Sequence, residues 1–162
     1  MARGDADIAV TPALLDRLID LDPGGSSDPP ASRNQSVRQL KISLRRDLEW
    51  LLNTRRIAEE APEAYEMVCH SLYHYGLTDV SSMSLNSPRD KNRLLRMIES
   101  LLADFEPRLA SVRVRAIDDG AGGPRVLRFQ IEGLLKMDPA PEQIFFDTVM
   151  QLSTGECQVK GE

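Results

Sequence analysis

Phe105-Glu106-Pro107-Arg108-Leu109 is where one periodicity ends and another begins. Upstream, Leu94, Leu95, Ile98, Leu101, Leu102 and Phe105 recur at steps of three and four, the spacing of one helix face. Downstream, Val112 and Val114 alternate with Arg113 and Arg115, the period of a strand. Proline has no N–H and pushes the residue before it out of the helical region, so the helix must stop here. Glu106, Pro107 and Arg108 then form a stiff corner carrying an acid and a base. Two readings are open: a helix stop with two solvated charges, or a rigid docking point.

Working back from the corner, Ser87-Pro88 reads as an N-cap followed by a first-turn proline, with Asp90 three residues after the cap. Tyr75-Gly76-Leu77 reads as a turn in which glycine supplies a positive φ, and Pro62 to Leu72 as a short helix. Ser36 to Leu52 carries a second apolar stripe, Val37, Leu40, Leu44, Leu48, Leu51 and Leu52, with Trp50 at its edge. Asn53-Thr54-Arg55-Arg56 leaves that helix. Working forward, residues 118–124 are rich in turn formers, and Leu127, Phe129 and Ile131 alternate with Arg128, Gln130 and Glu132, predicting a hairpin. Asp138-Pro139-Ala140-Pro141 breaks the chain again. Ile144 to Leu152 is a third strand, continued by Cys157 to Val159. The expected fold is α+β: two main helices on one face of a small, mostly antiparallel sheet of three or four strands. Phe129 is expected in its core, where alanine would cost about 3–5 kcal/mol.

The first 35 residues read separately from a body at 36–162. Thr11-Pro12 caps a short amphipathic helix with Leu14, Leu15, Leu18 and Ile19 on one face, and Asp22 to Pro30 is a Gly/Pro/Ser linker. So short a helix either folds back on the body or orders on a partner, which Leu14 and Leu18 would contact.

Bulk properties exclude several classes. A chain of 162 residues, 41% hydrophobic and 28% charged, holds a real core without metal or crosslinks. A net charge of -5 argues against gripping nucleic acid. The basic stretch from Arg33 to Arg56, including Arg38, Lys41, Arg45 and Arg46, is a solvated helix face or a patch for an acidic protein. Cys69 and Cys157 form no ligand or disulfide pattern, which fits a reducing compartment. With no apolar leader and no run of membrane-spanning length, the expectation is a cytoplasmic protein.

Ser43-Leu44-Arg45-Arg46-Asp47-Leu48-Glu49-Trp50-Leu51-Leu52-Asn53-Thr54-Arg55-Arg56, the Tyr75-Gly76-Leu77 turn, the Glu-Pro-Arg corner and Phe146-Asp147-Thr148 together resemble the TssE family of type VI secretion baseplate subunits, shared with a small wedge protein of contractile-tailed phages. Thr78 departs from the proline common after Tyr-Gly-Leu in that family. The resemblance implies a scaffold without cofactor. Glu106, Pro107 and Arg108 would seat it on the TssF/TssG wedge, with TssK a further possible neighbour. The C-terminal strands would offer an edge to the TssB/TssC sheath by strand addition. Family analogy favours Ile144 to Leu152 as that edge, making Phe146, Asp147 and Val149 partner-binding, with proline at Val149 expected to block recruitment. Read as exposed, Glu106 and Arg108 are expected to tolerate alanine within about 0.5 kcal/mol.

Rival chemistry finds little support in the residues. A lysozyme-like hydrolase would pair Glu106 with Asp104 or Asp147, yet needs one carboxyl held protonated, whereas Arg108 beside Glu106 favours the ionised form. Aromatic content of 5% offers little surface for sugars. His70 and His74 lack the glutamate of a zinc-protease motif, Ser71 standing in its place, and no third ligand is evident. Gly120, Gly122 and Gly123 lack a phosphate loop's lysine and helix. A third reading is an adaptor that recruits its partner through the N-terminal helix.

Overall fold

Described for residues 10, 12–19, 24–25, 32–59, 61–62, 64–69, 71–117, 123 and 125–161, the computed structural model places α1 at Leu14–Leu18, α2 at Arg33–Asn53, α3 at Glu66–Cys69 and α4 at Pro88–Phe105. The strands are β1 at Leu109–Ala116, β2 at Val126–Leu135, β3 at Glu142–Gln151 and β4 at Glu156–Gly161. The expected Thr11 cap, His70, all but Gly24 and Gly25 of the linker, and all but Gly123 of the 118–124 turn lie outside the described residues.

α2 starts at Arg33, ahead of the apolar stripe, because Ser32 builds a capping box: its hydroxyl accepts from the Gln35 N–H, and Gln35 Oε1 accepts from the Ser32 N–H at 2.9 Å. α4 starts as its sequence directs, the Ser87 hydroxyl accepting from the Asp90 N–H at 3.3 Å with Pro88 in the first turn. In place of one helix over Pro62 to Leu72 there is the single turn α3, followed by a 3₁₀ turn at Leu72–His74.

The sheet runs in order β1-β2-β3-β4, every neighbour antiparallel. α2 packs along β4 and α4 along β1, so both long helices cover one face of the sheet. Between them lies one core. It takes Leu44, Leu48 and Leu52 from α2, Leu94, Ile98 and Leu102 from α4, and the inward set Leu127, Phe129, Ile131 and Leu135 from β2. Phe129 is fully buried, as its alternation predicts.

A bulge next to the corner adjusts the alternation of β1. Ala110 pairs with Leu134 and Arg113 with Glu132, so Ser111 and Val112 share the single opposing Gly133. Ser111 takes φ 53°, a left-handed conformation uncommon for a residue with a side chain. The extra residue shifts the parity, letting Leu109 and Val114 both face the core although they sit at odd separation.

Strand order overturns one expectation. Ile144 to Leu152 is not the sheet's edge: over Phe146–Gln151, β3 is paired with β2 on one side and β4 on the other. Proline at Val149 would therefore break an interior ladder. The outer strands are β1 and β4. β4 is partly covered, since the Asn53 side chain at the end of α2 donates to the Cys157 carbonyl and accepts from the Cys157 N–H, both at 2.8 Å. Among the described residues no helix is long and apolar enough to cross a membrane.

Candidate functional site

Glu106 caps the C-terminus of α4, donating its N–H to the Leu102 carbonyl at 2.9 Å, while its own carbonyl accepts from the Leu109 N–H at 3.1 Å and closes the turn over Pro107. Its carboxylate folds back on the same turn. Oε1 accepts from the Arg108 N–H at 3.2 Å and from Arg108 Nε at 2.7 Å, and Oε2 accepts from Nη2 at 2.5 Å. This is a bidentate, charge-assisted pair formed between neighbours in sequence.

The same Nη2 reaches across to α2 and donates to Asp47 Oδ2 at 2.7 Å. Asp47 Oδ1 in turn accepts from Arg46 Nε at 3.0 Å and Nη2 at 2.8 Å, and Arg46 Nη1 donates to Asp16 Oδ1 on α1 at 2.8 Å. The alternating series Glu106, Arg108, Asp47, Arg46, Asp16 thus ties the corner to the middle of α2 and to the N-terminal helix. Lys136 completes the brace from β2's end, its Nζ donating to the Pro107 carbonyl and its N–H to the Arg108 carbonyl, both at 2.8 Å.

Burial changes what this network is. Glu106 is only 5% exposed, not the solvated acid expected from its place beside proline. Alanine there would strand Arg108 beside an empty site, so tolerance of the kind shown by exposed residues does not apply. The hydrogen bond to Glu106 raises the Arg108 guanidinium above its ordinary range, against burial, which lowers it. Burial also works against charge on Arg46, but bonds to Asp47 and Asp16 outweigh it. The Arg46 guanidinium also lies 4.9 Å from the ring centre of Trp50. Tyr75 packs edge-on against Phe105 at 5.4 Å, and its phenol is pushed up first by burial and then by the charges of Asp47 and Glu106.

The Tyr75-Gly76-Leu77 turn is held against the end of α2. Gly76 has φ 102°, and a Cβ there would stand 2.4 Å from the Thr54 carbonyl oxygen, so only glycine fits. The Leu77 N–H donates to Thr54 and the Arg56 N–H to Leu77, both at 2.9 Å.

The other expected site residues are not gathered around the corner. Pro107 is exposed and Arg108 half-buried, so these two form its outward surface. Phe146 is a core residue at 4% exposure, its side chain spent on the fold. Asp147 and Val149 lie on the sheet face turned away from the helices, where Asp147 accepts from Gln130 Nε2 at 2.9 Å. Leu14 and Leu18 are 70% and 73% exposed although α1 is anchored through Asp16, so the helix is folded back with these leucines outward. The carboxylate sharing Arg108 with Glu106 is Asp47, not Asp104 or Asp147. Reading the sequence missed Asp47, Arg46, Tyr75 and Lys136 as members of this site. A signal existed for Asp47: it follows Leu44 by three and adjoins Leu48, placing a charge on the margin of a buried stripe.

No match to the chain is found among curated proteins. Residues 38–140, from within α2 through the corner to the β2–β3 connection, match the family of the baseplate wedge protein gp25. That span holds Asp47 of α2 and, from the connections that meet it at the corner, Tyr75, Glu106, Arg108 and Lys136, and the chain belongs to the gp25 baseplate wedge family.

Proposed function

We propose that the chain is a non-catalytic baseplate subunit of a type VI secretion system. It seats on the TssF/TssG wedge through the outward surface of the corner and starts the TssB/TssC sheath by strand addition. The observation that carries this reading is the bracing of Glu106-Pro107-Arg108 by Asp47 and Lys136. Such bracing holds Pro107 and the exposed part of Arg108 at fixed positions before a partner arrives, which lowers the ordering cost of docking. TssK, the cytoplasm and assembly at the inner membrane belong to the same reading, as do Leu14 and Leu18 as a secondary contact.

The lysozyme-like alternative is disfavoured by the same geometry. Glu106 and Asp47 both accept from one arginine nitrogen, at 2.5 and 2.7 Å, so both are held in one brace rather than set on opposite sides of a sugar cleft.

The sheath edge moves from β3 to β4. Cys157 directs its N–H and carbonyl outward to Asn53, and antiparallel alternation turns those of Val159 and Gly161 the same way, beyond the reach of that cap. Asp147 and Val149 lie beside this edge, paired with Lys160 and Gln158. Co-expression with TssF, TssG and the sheath pair tests the assignment. Val159→Pro removes an outward donor and is expected to keep a cooperative melt and wedge binding while losing TssB/TssC recruitment. Unimpaired recruitment, or loss of wedge binding together with sheath, would sink the β4 assignment.

A further inference from the structure

Arg56 is a residue that neither the fold nor the corner explains. In the run Asn53-Thr54-Arg55-Arg56, Asn53 covers the β4 edge and Thr54 receives the Leu77 N–H. Arg55 donates to the Thr154 carbonyl at 3.0 Å and fills the space a Cβ at Gly155 would need. The Arg56 backbone pairs with Leu77, but its Nε is shut off from solvent with no hydrogen-bond partner. An unpaired buried donor costs about 1–3 kcal/mol, more when it is charged.

Beside the rest of the Arg56 side chain lies a hollow of about 470 Å³ lined by Arg55, Arg56, Ala58, Thr78 and Asp79. Its charges do not cancel. Asp79 is already engaged by Ser81, accepting from its N–H at 2.9 Å and its hydroxyl at 3.0 Å, and stands 3.8 Å from Arg55. These bonds from Ser81 hold the Asp79 carboxyl below its usual range. Two guanidiniums therefore face one carboxylate whose lone pairs are largely used.

We propose that this hollow seats an acidic side chain from an extended segment of a partner protein, with its carboxylate end-on to the two Nη groups of Arg56. A planar guanidinium offers its two Nη groups as a fork that matches a carboxylate, whereas lysine offers a point charge. Past the extended Thr54, Arg55 pairs with Leu77 in an isolated bridge, and Ile57 is exposed, giving the partner backbone an apolar rest beside the charge. The net charge of -5 weighs against a nucleic-acid occupant. This inference does not depend on the corner or on the sheath edge.

The test is fluorescence anisotropy of a labelled hexaglutamate peptide titrated with the full chain at low salt. Saturable binding is expected, weakened about tenfold by Arg56→Gln, a loss of about 1.4 kcal/mol. Arg56→Lys should recover only part of it, and Arg38→Gln, on the exposed face of α2, should change it less than twofold. Thermal melts of Arg56→Gln should fall no lower than the parent's, because the side chain it replaces holds no partner in the free fold. Absence of saturable binding, equal loss with Arg38→Gln, or a lowered melt for Arg56→Gln would overturn the proposal. So would displacement of the peptide by equimolar inorganic phosphate, which would identify a simple anion site.

Discussion

The corner and the outer face of the sheet are built from the same residue types, arginines beside carboxylates, yet the fold puts them to different uses. On the outer face Arg115 meets Glu132 at 3.7 Å, and around the β1 edge Arg113 meets Glu99 of α4 at 3.0 Å, with the arginine side chains 73% and 68% exposed. Water competes for such pairs, and they contribute little. At the corner the Glu106 side chain is 6% exposed and those of Arg108 and Asp47 are 23% and 24%, so each charge depends on its neighbours for solvation. The pairing chemistry is shared. Burial decides whether an ion pair is a surface feature or a brace whose removal leaves an unsolvated charge.

The strongest way to break this contrast is Arg108→Met, which keeps apolar volume and leaves Glu106 buried without its cation. The expected loss is about 3–5 kcal/mol in urea unfolding, comparable to Phe129→Ala in the core. A loss below about 1 kcal/mol would place the corner among ordinary surface pairs.

A subtler probe is the phenol of Tyr75, raised above its ordinary 10.0. Its contribution to stability is complete below that value. As pH rises past it, the unfolded chain releases a proton that the folded chain retains, so stability declines until the folded phenol also ionises. Tyr75→Phe should flatten this alkaline decline in denaturation measured across pH 9 to 12. An unchanged slope would mean that neither burial nor the corner's charges hold the phenol in its neutral form.

The smallest effect belongs to the outer face. Arg115→Ala should leave unfolding within about 0.5 kcal/mol of the parent, and a larger loss would erase the distinction between the two regions.

Periodicity alone was enough to place the two long helices, the β1–β2 hairpin and the inward set around Phe129, because alternation and the helical repeat are local properties of the chain. Gly76 was legible too, since its turn demands a conformation that other residues resist. The resemblance carried in Arg46-Asp47, the turn and the corner pointed to the baseplate wedge family that residues 38–140 match. What local pattern does not contain is the identity of a distant neighbour. Asp47 meets Arg108 across 61 positions, and only packing α2 beside the end of α4 brings them together and closes Glu106 off from water. Likewise alternation tells which face a strand residue occupies but not which strands flank it, so the interior place of β3 was settled by the order of the folded sheet.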